Sequence, residues 1–301
     1  MARVHSALGV VLLLSAGFLV HTTLAPSGVH AYCRSSTETE PSGLCELKPG
    51  AILLNWQRSC IELSFHERIF ERLELSEAEV RQSVQASFDT WMDVACGGEP
   101  FLLSMAQDTT TAEPVEFVFD APNTSVLSAQ TPEEWRELDQ PRSAFAITFL
   151  WHNKNTGEIY DVDLALNLYH QPFTDCIDGC RPGDVDLQNT VTHELGHVLG
   201  LGHSDVKGST MQDDAGAGET FMRDLEPDDE AGVCALQLPG HECTGTVQQG
   251  CTCPAPPIVP SVVRTRSGCA VAEQGGPRVD LSVWTIAGIL VLWVGRTRRA
   301  R

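Results

Sequence analysis

The sequence predicts an α+β fold, in which several strands accompany one long helix and a second helix follows them. Two stretches, 76–95 and 187–198, place apolar residues three and four positions apart, which is typical of helices with one buried face. Shorter runs are apolar throughout or alternate between apolar and polar residues, as strands do. These runs are AILLNWQ (51–57), PVEFVFD (114–120), FAITFLW (145–151) and IYDVDLALN (159–167). The 301 residues, 42% of them hydrophobic, suffice for one substantial domain with appendages.

The first long helix is predicted over SEAEVRQSVQASFDTWMDVA, residues 76–95. Ser76 and Glu79 have the spacing of a capping box, in which each side chain accepts a backbone N–H from the other residue. The apolar stripe steps by four, four, three and four residues, so Trp91 belongs to the core rather than to a binding site. The stripe consists of Val80, Val84, Phe88, Trp91 and Ala95.

Residues 1–31 have the pattern of a secretory signal peptide. Arg3 and His5 precede the apolar run 7–20, and small residues lead to a cleavage point before Tyr32. We therefore expect an exported protein that is extracellular or held at the cell surface. The alternative is a segment that stays in place as an N-terminal membrane anchor.

The C-terminal part combines a spacer with a second apolar run. Residues 241–268 are predicted as a Cys-rich segment and a Pro-rich linker, and residues 269–301 as a membrane-anchor tail. The apolar run 281–294 is followed by four arginines, which we expect on the cytoplasmic face. The tail resembles the C-terminal sorting tails of myxobacterial surface proteins, and this resemblance implies processing or modification at Cys269. A plain membrane anchor gives the same topology.

The charge and the cysteines limit the partners and the compartment of the chain. Its 20 basic and 40 acidic residues give a net charge of -20, which repels phosphate backbones and argues against nucleic acid as a partner. Eleven cysteines in an exported chain predict disulfides, with Cys60 and Cys96 as one expected pair. Zinc coordination is the alternative for the closely spaced Cys176 and Cys180. The sequence does not indicate an oligomeric state.

The stretch HELGHVLGLGH, residues 193–203, contains three of the ten histidines of the chain. It belongs to a helix that begins near Leu187, with Asp186 as its expected N-cap. His193 and His197 are four residues apart, so both imidazoles emerge from one side of the helix and can bind one ion.

The residues around this pair complete a candidate metal site. Gly200 permits a left-handed exit from the helix, after which His203 can return as the third ligand. Three neutral imidazoles leave the fourth position of a zinc ion open, which is the arrangement of a catalytic site. Glu194 points beside the ion, which suits a general base that takes a proton from zinc-bound water.

These eleven residues are the signature of the metzincin metalloproteases, and further residues resemble the matrixin-like branch. Ser204 follows the third histidine directly, and Met211 lies eight residues beyond that histidine, where the family has its Met-turn. LEPDDEAGVCAL, residues 225–236, resembles the closing C-terminal helix of the family. The resemblance spans most of residues 32–240. It implies a metzincin-like catalytic domain, with a mixed twisted sheet packed on two long helices.

The resemblance also implies a zinc-dependent endopeptidase that acts on proteins or peptides. In such an enzyme an extended peptide docks antiparallel to an edge strand, and we nominate FAITFLW for this role. Two other functions stay open on the sequence alone. One is a non-catalytic surface binding module that keeps the fold, and the other is a zinc amidase that acts on cell-wall peptides.

Some family features are missing from the sequence or have two interpretations. No PRCGxPD-like latency segment occurs in the chain. For a second, structural zinc, His152 and His170 are loose candidates, and a position on the surface is the alternative. Asp161 and Asp163 lie where relatives hold structural calcium, but alternating strand residues that face solvent explain them equally well.

Overall fold

The computed structural model describes residues 32–37, 49–58, 60–97, 99–100, 104–106, 109–119, 123–169, 172–236, 262–267 and 270–271. The predicted signal peptide lies outside these residues, as do Cys269, His170 and nearly all of the predicted tail. None of the helices within the described ranges is long and apolar enough to cross a membrane.

The strands and helices alternate irregularly along the chain, as in an α+β fold. The strands are β1 (Asn55–Trp56), β2 (Cys60–His66), β3 (Ala95–Cys96), β4 (Glu99–Pro100), β5 (Ser104–Ala106), β6 (Thr110–Thr111), β7 (Ser125–Gln130), β8 (Ala146–His152), β9 (Glu158–Asn167), β10 (Phe173–Thr174), β11 (Val185–Asp186), β12 (Asp214–Ala215), β13 (Val263–Ser267) and β14 (Ala270–Val271). The α-helices are α1 (Ile69–Arg72), α2 (Glu77–Met92), α3 (Pro132–Glu137), α4 (Leu187–Leu199) and α5 (Pro227–Cys234). A 3₁₀ turn covers Phe221–Arg223.

One eight-stranded mixed sheet forms the largest layer. Six of its strands run in the order β13-β8-β9-β7-β2-β5, while β1 pairs with β9 and β6 pairs with β2. The pairs β2–β5, β2–β7 and β7–β9 are parallel, whereas β8 is antiparallel to both β9 and β13. The antiparallel edge formed by β8 and β13 lies beside the helix that carries the histidines, because β8 contacts α4.

Helices α2 and α4 pack against each other beneath the sheet. The predicted capping box is present at the start of α2, where Ser76 and Glu79 bond each other's backbone N–H groups. Trp91 is fully buried, and its indole N–H donates to the carbonyl of Thr192 on α4 at 2.8 Å. Trp91 is therefore a core residue, as its place on the apolar stripe predicts.

The predicted strand at 51–57 is much shorter in the structure. Only Asn55–Trp56 pairs with β9, although Leu54 and Trp56 are both fully buried. The indole N–H of Trp56 donates to the carbonyl of Val198 at 2.8 Å, so this stretch packs on α4 without extending the sheet far.

The prediction of a strand at 114–120 is wrong. The described residues of this stretch form no strand, and Val118 and Phe119 are 46% and 54% exposed. Alternation between apolar and polar residues predicts a strand only where a partner is available to pair with it. Here one proline begins the run and another follows it two residues after its end, and proline cannot donate a backbone hydrogen bond to a neighbouring strand.

The strand that replaces it in the sheet is β7, which sequence patterning misses. All six residues of β7 are buried, because the strand lies between β2 and β9. Its serines are small enough for this position and satisfy their hydroxyls inside the sheet. Ser125 donates to the carboxylate of Asp161 at 2.5 Å, and Ser128 donates to the carbonyl of Leu164 at 3.4 Å.

The expected disulfide between Cys60 and Cys96 is also wrong, because Cys96 is bonded to Cys234. The bond joins β3, which follows α2, to the last residue of α5. Cys176 and Cys180 are bonded to each other, which rules out zinc coordination by these two sulfurs. Cys33 is likewise a disulfide cysteine.

Strand β13 lies inside the range that the sequence predicts as a linker. It pairs with β8 over five residues, from Val263 opposite His152 to Ser267 opposite Thr148. In VVRTRS, residues 262–267, charged and uncharged residues alternate only from Val263 onwards, which is too short a pattern to stand out from a spacer.

Candidate metal centre

The start of helix α4 is held by its N-cap residue, Asp186, which bonds both to the first turn of the helix and to an arginine. Asp186 accepts the backbone N–H groups of Gln188 and Asn189 at 3.0 and 3.3 Å. The guanidinium of Arg223 forms an ion pair with the same carboxylate at 2.6 Å. The face opposite the histidines is fully buried, and it consists of Leu187, Val191, Leu195 and Val198.

The structure brings the three predicted histidines together. The Nε2 atom of His197 lies 3.1 Å from Nε2 of His193 and 3.2 Å from Nε2 of His203. A tetrahedral zinc ion with Zn–N bonds of 2.0–2.1 Å separates its nitrogen ligands by about 3.3 Å. The three nitrogens therefore fit zinc, and they form a group of potential ligands within reach of one ion.

Backbone carbonyls fix the orientation of two of these rings. Nδ1 of His193 lies 2.7 Å from the carbonyl oxygen of Thr210, and Nδ1 of His197 lies 2.9 Å from that of Leu201. Because a carbonyl can only accept, each Nδ1 carries the proton and each Nε2 presents a lone pair. This is the tautomer that binds a metal through Nε2.

Burial keeps these imidazoles neutral. Burial, together with the neighbouring His203, lowers the pKa of His193 to about 3. Burial also lowers the pKa of His197 well below its usual value, and His193 and His203 add to that effect. Neutral imidazoles do not have to lose a proton before they bind a cation at neutral pH.

The exit of α4 follows the predicted left-handed turn. Gly200 has φ of +106°, a conformation that side chains other than glycine rarely adopt. The segment near the start of the described chain holds this turn, because Ser35 donates its backbone N–H to the carbonyl of Gly200 at 2.9 Å and its hydroxyl to that of Leu201 at 2.9 Å. The turn directs His203 back towards the two helical histidines.

The turn that contains Met211 is held by a carboxylate from α5. Asp229 accepts the backbone N–H groups of Thr210 and Met211 at 2.8 and 3.0 Å. It also accepts the N–H of Glu226 at 2.9 Å, at the start of its own helix. Because the carbonyl of Thr210 orients His193, Asp229 is one step removed from the metal site.

Met211 packs directly beneath α4. A side chain at Gly196, between the two helical histidines, would collide with the sulfur of Met211 and come within 2.9 Å of the ring of Trp91. Gly196 is therefore required by the close approach of the helix, the Met-turn and α2.

Glu194 is fully buried and is held from the sheet. The hydroxyl of Thr148 on β8 donates to Oε2 of Glu194 at 2.6 Å and lies 3.3 Å from its backbone carbonyl. The carboxylate is thus positioned by a strand, while the three histidines are positioned by the helix and the turns after it.

Three other predicted candidates lie away from this centre. His152 is fully buried rather than on the surface, and its Nε2 lies 2.8 Å from the hydroxyl of Thr265 on β13. Asp161 and Asp163 are also buried rather than solvent-facing, because β9 lies inside the sheet. Among the described residues, no group of three or more ligands suited to one metal ion includes any of these three side chains.

The two aspartates on β9 are instead part of the hydrogen bonding of the sheet. Asp163 accepts the backbone N–H of Val126 at 3.1 Å and the indole N–H of Trp151 at 3.2 Å. Burial raises the pKa of Asp161 to about 6, although its bond from Ser125 acts in the opposite direction. Burial and the nearby Asp161 raise the pKa of Asp163 well above its usual value.

A second close group, Cys176, Cys180 and Asp186, is not a metal site. The two sulfurs form a disulfide, and Asp186 is occupied by the N-cap bonds and by Arg223.

Two residues of the centre escape sequence analysis. Thr148 is the single polar residue of the apolar run FAITFLW, and only the fold brings it to Glu194, 46 residues away. Asp229 belongs to the acidic stretch EPDDEAG at the start of α5. Carboxylates are common at the start of any helix, so the sequence does not single out Asp229. The preference for a buried acid at that position depends on the turn packed against it.

Three histidines on a helix and its exit, above a methionine turn and beside a buried glutamate, are the arrangement of a metzincin-type metalloprotease domain. The family model for matrixin matches residues 55–237, more than half of the chain. The chain belongs to the matrixin family.

Two curated plant proteins are similar over shorter stretches. Metalloendoproteinase 1-MMP of Arabidopsis thaliana is 42% identical over 65 residues, which are 22% of this chain and 18% of that protein. Metalloendoproteinase 2-MMP of the same plant is 34% identical over 114 residues, which are 36% of this chain and 28% of that protein. The chain therefore spans less than a third of the length of these relatives.

Proposed function

We propose that this chain is a zinc-dependent endopeptidase that is exported and either secreted or held at the cell surface. The convergence of three Nε2 atoms beside the buried Glu194 carries the proposal, because this set serves hydrolysis and no packing purpose. Membership of the matrixin family and the names of the two plant relatives support it. The export and the anchor rest on the sequence patterns at the two ends.

Zinc, when bound to His193, His197 and His203, supplies the Lewis acidity that polarises a peptide carbonyl and acidifies water. Glu194 accepts a proton from the attacking water and passes it to the leaving amine nitrogen. Thr148 keeps the plane of the carboxylate fixed during both transfers, because its hydroxyl holds Oε2. The peptide pairs with the outer edge of β8, which brings its carbonyl beside Glu194.

The test compares purified full-length protein with Glu194→Gln, using casein cleavage with and without a chelator. We expect chelation to abolish cleavage and zinc to restore it. Glu194→Gln retains zinc by metal analysis and loses activity by about 10²- to 10⁴-fold, the usual contribution of a general base. Glu230→Gln, which changes an exposed glutamate on α5, serves as the matched control.

Retained cleavage in Glu194→Gln would refute the role of this residue. Hydrolysis of peptidoglycan stem peptides without hydrolysis of protein would assign the chain to the amidases instead. Bound zinc without cleavage of either substrate would assign it to the binding modules.

A further inference from the structure

The outer edge of β8 is already paired in the structure. Strand β13 runs antiparallel to it, with Arg264 opposite Trp151, Thr265 opposite Leu150 and Arg266 opposite Phe149. This is the edge that the proposed function assigns to a peptide substrate, and the antiparallel direction is the one that the family resemblance implies. A segment of the chain itself thus occupies the position that an external peptide requires.

Side chains of β13 also contact β8 and the residues after α3, in addition to the backbone pairing. Thr265 and His152, both buried, are hydrogen-bonded at 2.8 Å. The guanidinium of Arg264 lies 5.0 Å from the ring centre of Phe149, within the range of a cation–π interaction. Arg266 donates to the side-chain oxygen of Gln140 at 3.1 Å, beyond the end of α3.

The pairing reaches the catalytic centre. The register ends with Ser267 opposite Thr148, the residue whose hydroxyl holds Glu194. Strand β14, three residues further along the chain, pairs in parallel with β12, which begins three residues after Met211. The two strands therefore flank the site, β13 on the side of the sheet and β14 on the side of the Met-turn.

We propose that Val263–Ser267 is an internal ligand of the peptide-binding edge, which a substrate must displace before it can be cleaved. The proposal rests on the proposed function, since it takes β8 as the edge that binds substrate. A tethered segment competes at an effective concentration on the order of millimolar, so even weak pairing raises the apparent KM. Displacement needs no change in the metal ligands or in Glu194.

The first test weakens β13 in the full-length protein through the exposed Arg264→Glu and Arg266→Glu together. We expect the KM for an extended peptide to fall about tenfold while kcat stays within about twofold. A synthetic peptide with the sequence VVRTRS should inhibit this variant competitively. Arg68→Glu with Arg136→Glu makes the same change of charge at two exposed positions away from the edge and should leave the KM unaltered.

The second test does not depend on turnover. Amide hydrogen exchange is measured in full-length Glu194→Gln, which cannot cleave its own chain. The amides of β8 that point away from β9 should be protected, and adding the two arginine substitutions should remove that protection about tenfold or more. Amides of β2 provide the internal reference.

The outcomes separate the two hypotheses. If the exchange of β8 is the same with and without the arginine substitutions, or if the KM of an active double variant equals that of the control, the internal ligand is refuted. If neither protein cleaves any peptide but β8 loses protection in the double variant, the pairing stands and the proposed function fails. Cleavage of the wild-type chain shortly after Ser267, absent in Glu194→Gln, would also support the pairing.

Discussion

The metal centre and the outer edge of the sheet are neighbours in space. The metal centre is built from residues close together in the sequence, whereas the edge pairs residues that are far apart in it. The three histidines lie within eleven residues, and the rings of His193 and His197 are oriented by carbonyls seventeen and four residues away. The edge joins β8 to β13, whose paired residues are more than one hundred positions apart. Contacts between residues close in sequence thus define the metal site, whereas the pairing of β13 with β8, a long-range contact, lies beside it.

The two regions also differ in how strongly their contacts are expected to resist disruption. The acceptors that orient His193 and His197 are buried backbone carbonyls, which are costly to leave unpaired. The contacts that hold β13 include two exposed arginines, whose loss costs little. The domain therefore has strong contacts around the candidate metal ligands and weaker ones at the edge that we propose as the peptide-binding edge. Four substitutions test this contrast.

The largest effect is expected for Asp229→Asn, which changes a residue one step removed from the candidate metal ligands. An amide cannot accept all three backbone N–H groups, so buried donors are left unpaired. The free energy of unfolding should fall by about 3 to 4 kcal/mol, and zinc affinity should fall by about 10- to 100-fold. Urea unfolding and competition with a chromophoric chelator measure the two changes. Asp205→Asn, an exposed aspartate in the same loop region, is the control, and equal zinc affinity in both variants would contradict the expectation.

The second effect depends on pH and concerns Asp161, which with Asp163 forms a pair of buried aspartates on β9, the strand next to β8. Because burial raises the pKa of Asp161 to about 6, the folded state holds a proton that the unfolded state releases near pH 4. This contribution favours folding at low pH and is lost as the pH rises from about 4 to about 6. Asp161→Asn should reduce the fall in unfolding free energy over that window by at most about 3 kcal/mol. Urea midpoints measured at half-unit pH steps would reveal it, and parallel curves for variant and wild type would exclude it.

A smaller effect is expected for Thr148→Val, which removes the hydrogen bond between β8 and Glu194, the proposed general base. The shape is retained, but Glu194 loses the hydroxyl that holds Oε2. We expect kcat to fall about tenfold, equivalent to about 1.4 kcal/mol, with zinc content unchanged. Steady-state kinetics on an extended peptide provide the measurement. Thr90→Val makes the same substitution on α2, and a similar loss there would show that the effect is not specific.

The smallest effect is expected for Thr265→Val, which removes one hydrogen bond at the proposed peptide-binding edge. The hydroxyl of Thr265 no longer reaches His152, at a cost of about 1 kcal/mol in the docking of β13. Amides of β13 should exchange about fivefold faster, while the amides of α4 keep their rate. Faster exchange in α4 as well would show that the two regions are not separate.

Most of the metal centre could be predicted from the sequence because it is encoded locally. A helix sets the spacing of His193 and His197, and a glycine with a left-handed conformation returns His203 to them. The hairpin of β8 and β9 and the capping box of α2 also depend on short-range patterns, and the structure has both.

The features that sequence analysis missed depend on contacts between distant residues. Strand β7 carries serines because Asp161 and backbone carbonyls in β9 satisfy them, which its own sequence does not reveal. Asp161 and Asp163 are buried for the same reason, although their alternation is that of a surface strand. The pairing of Cys96 with Cys234 requires knowing that α5 packs beside β3.

That disulfide closes a covalent ring from Cys96 to Cys234, and the ring contains β8, the three histidines, Met211 and Asp229. Strand β13 follows Cys234 in the chain and therefore lies outside the ring. Removal of the chain after Cys234 would leave this ring closed. A single cut within the ring would leave the two pieces joined by the disulfide.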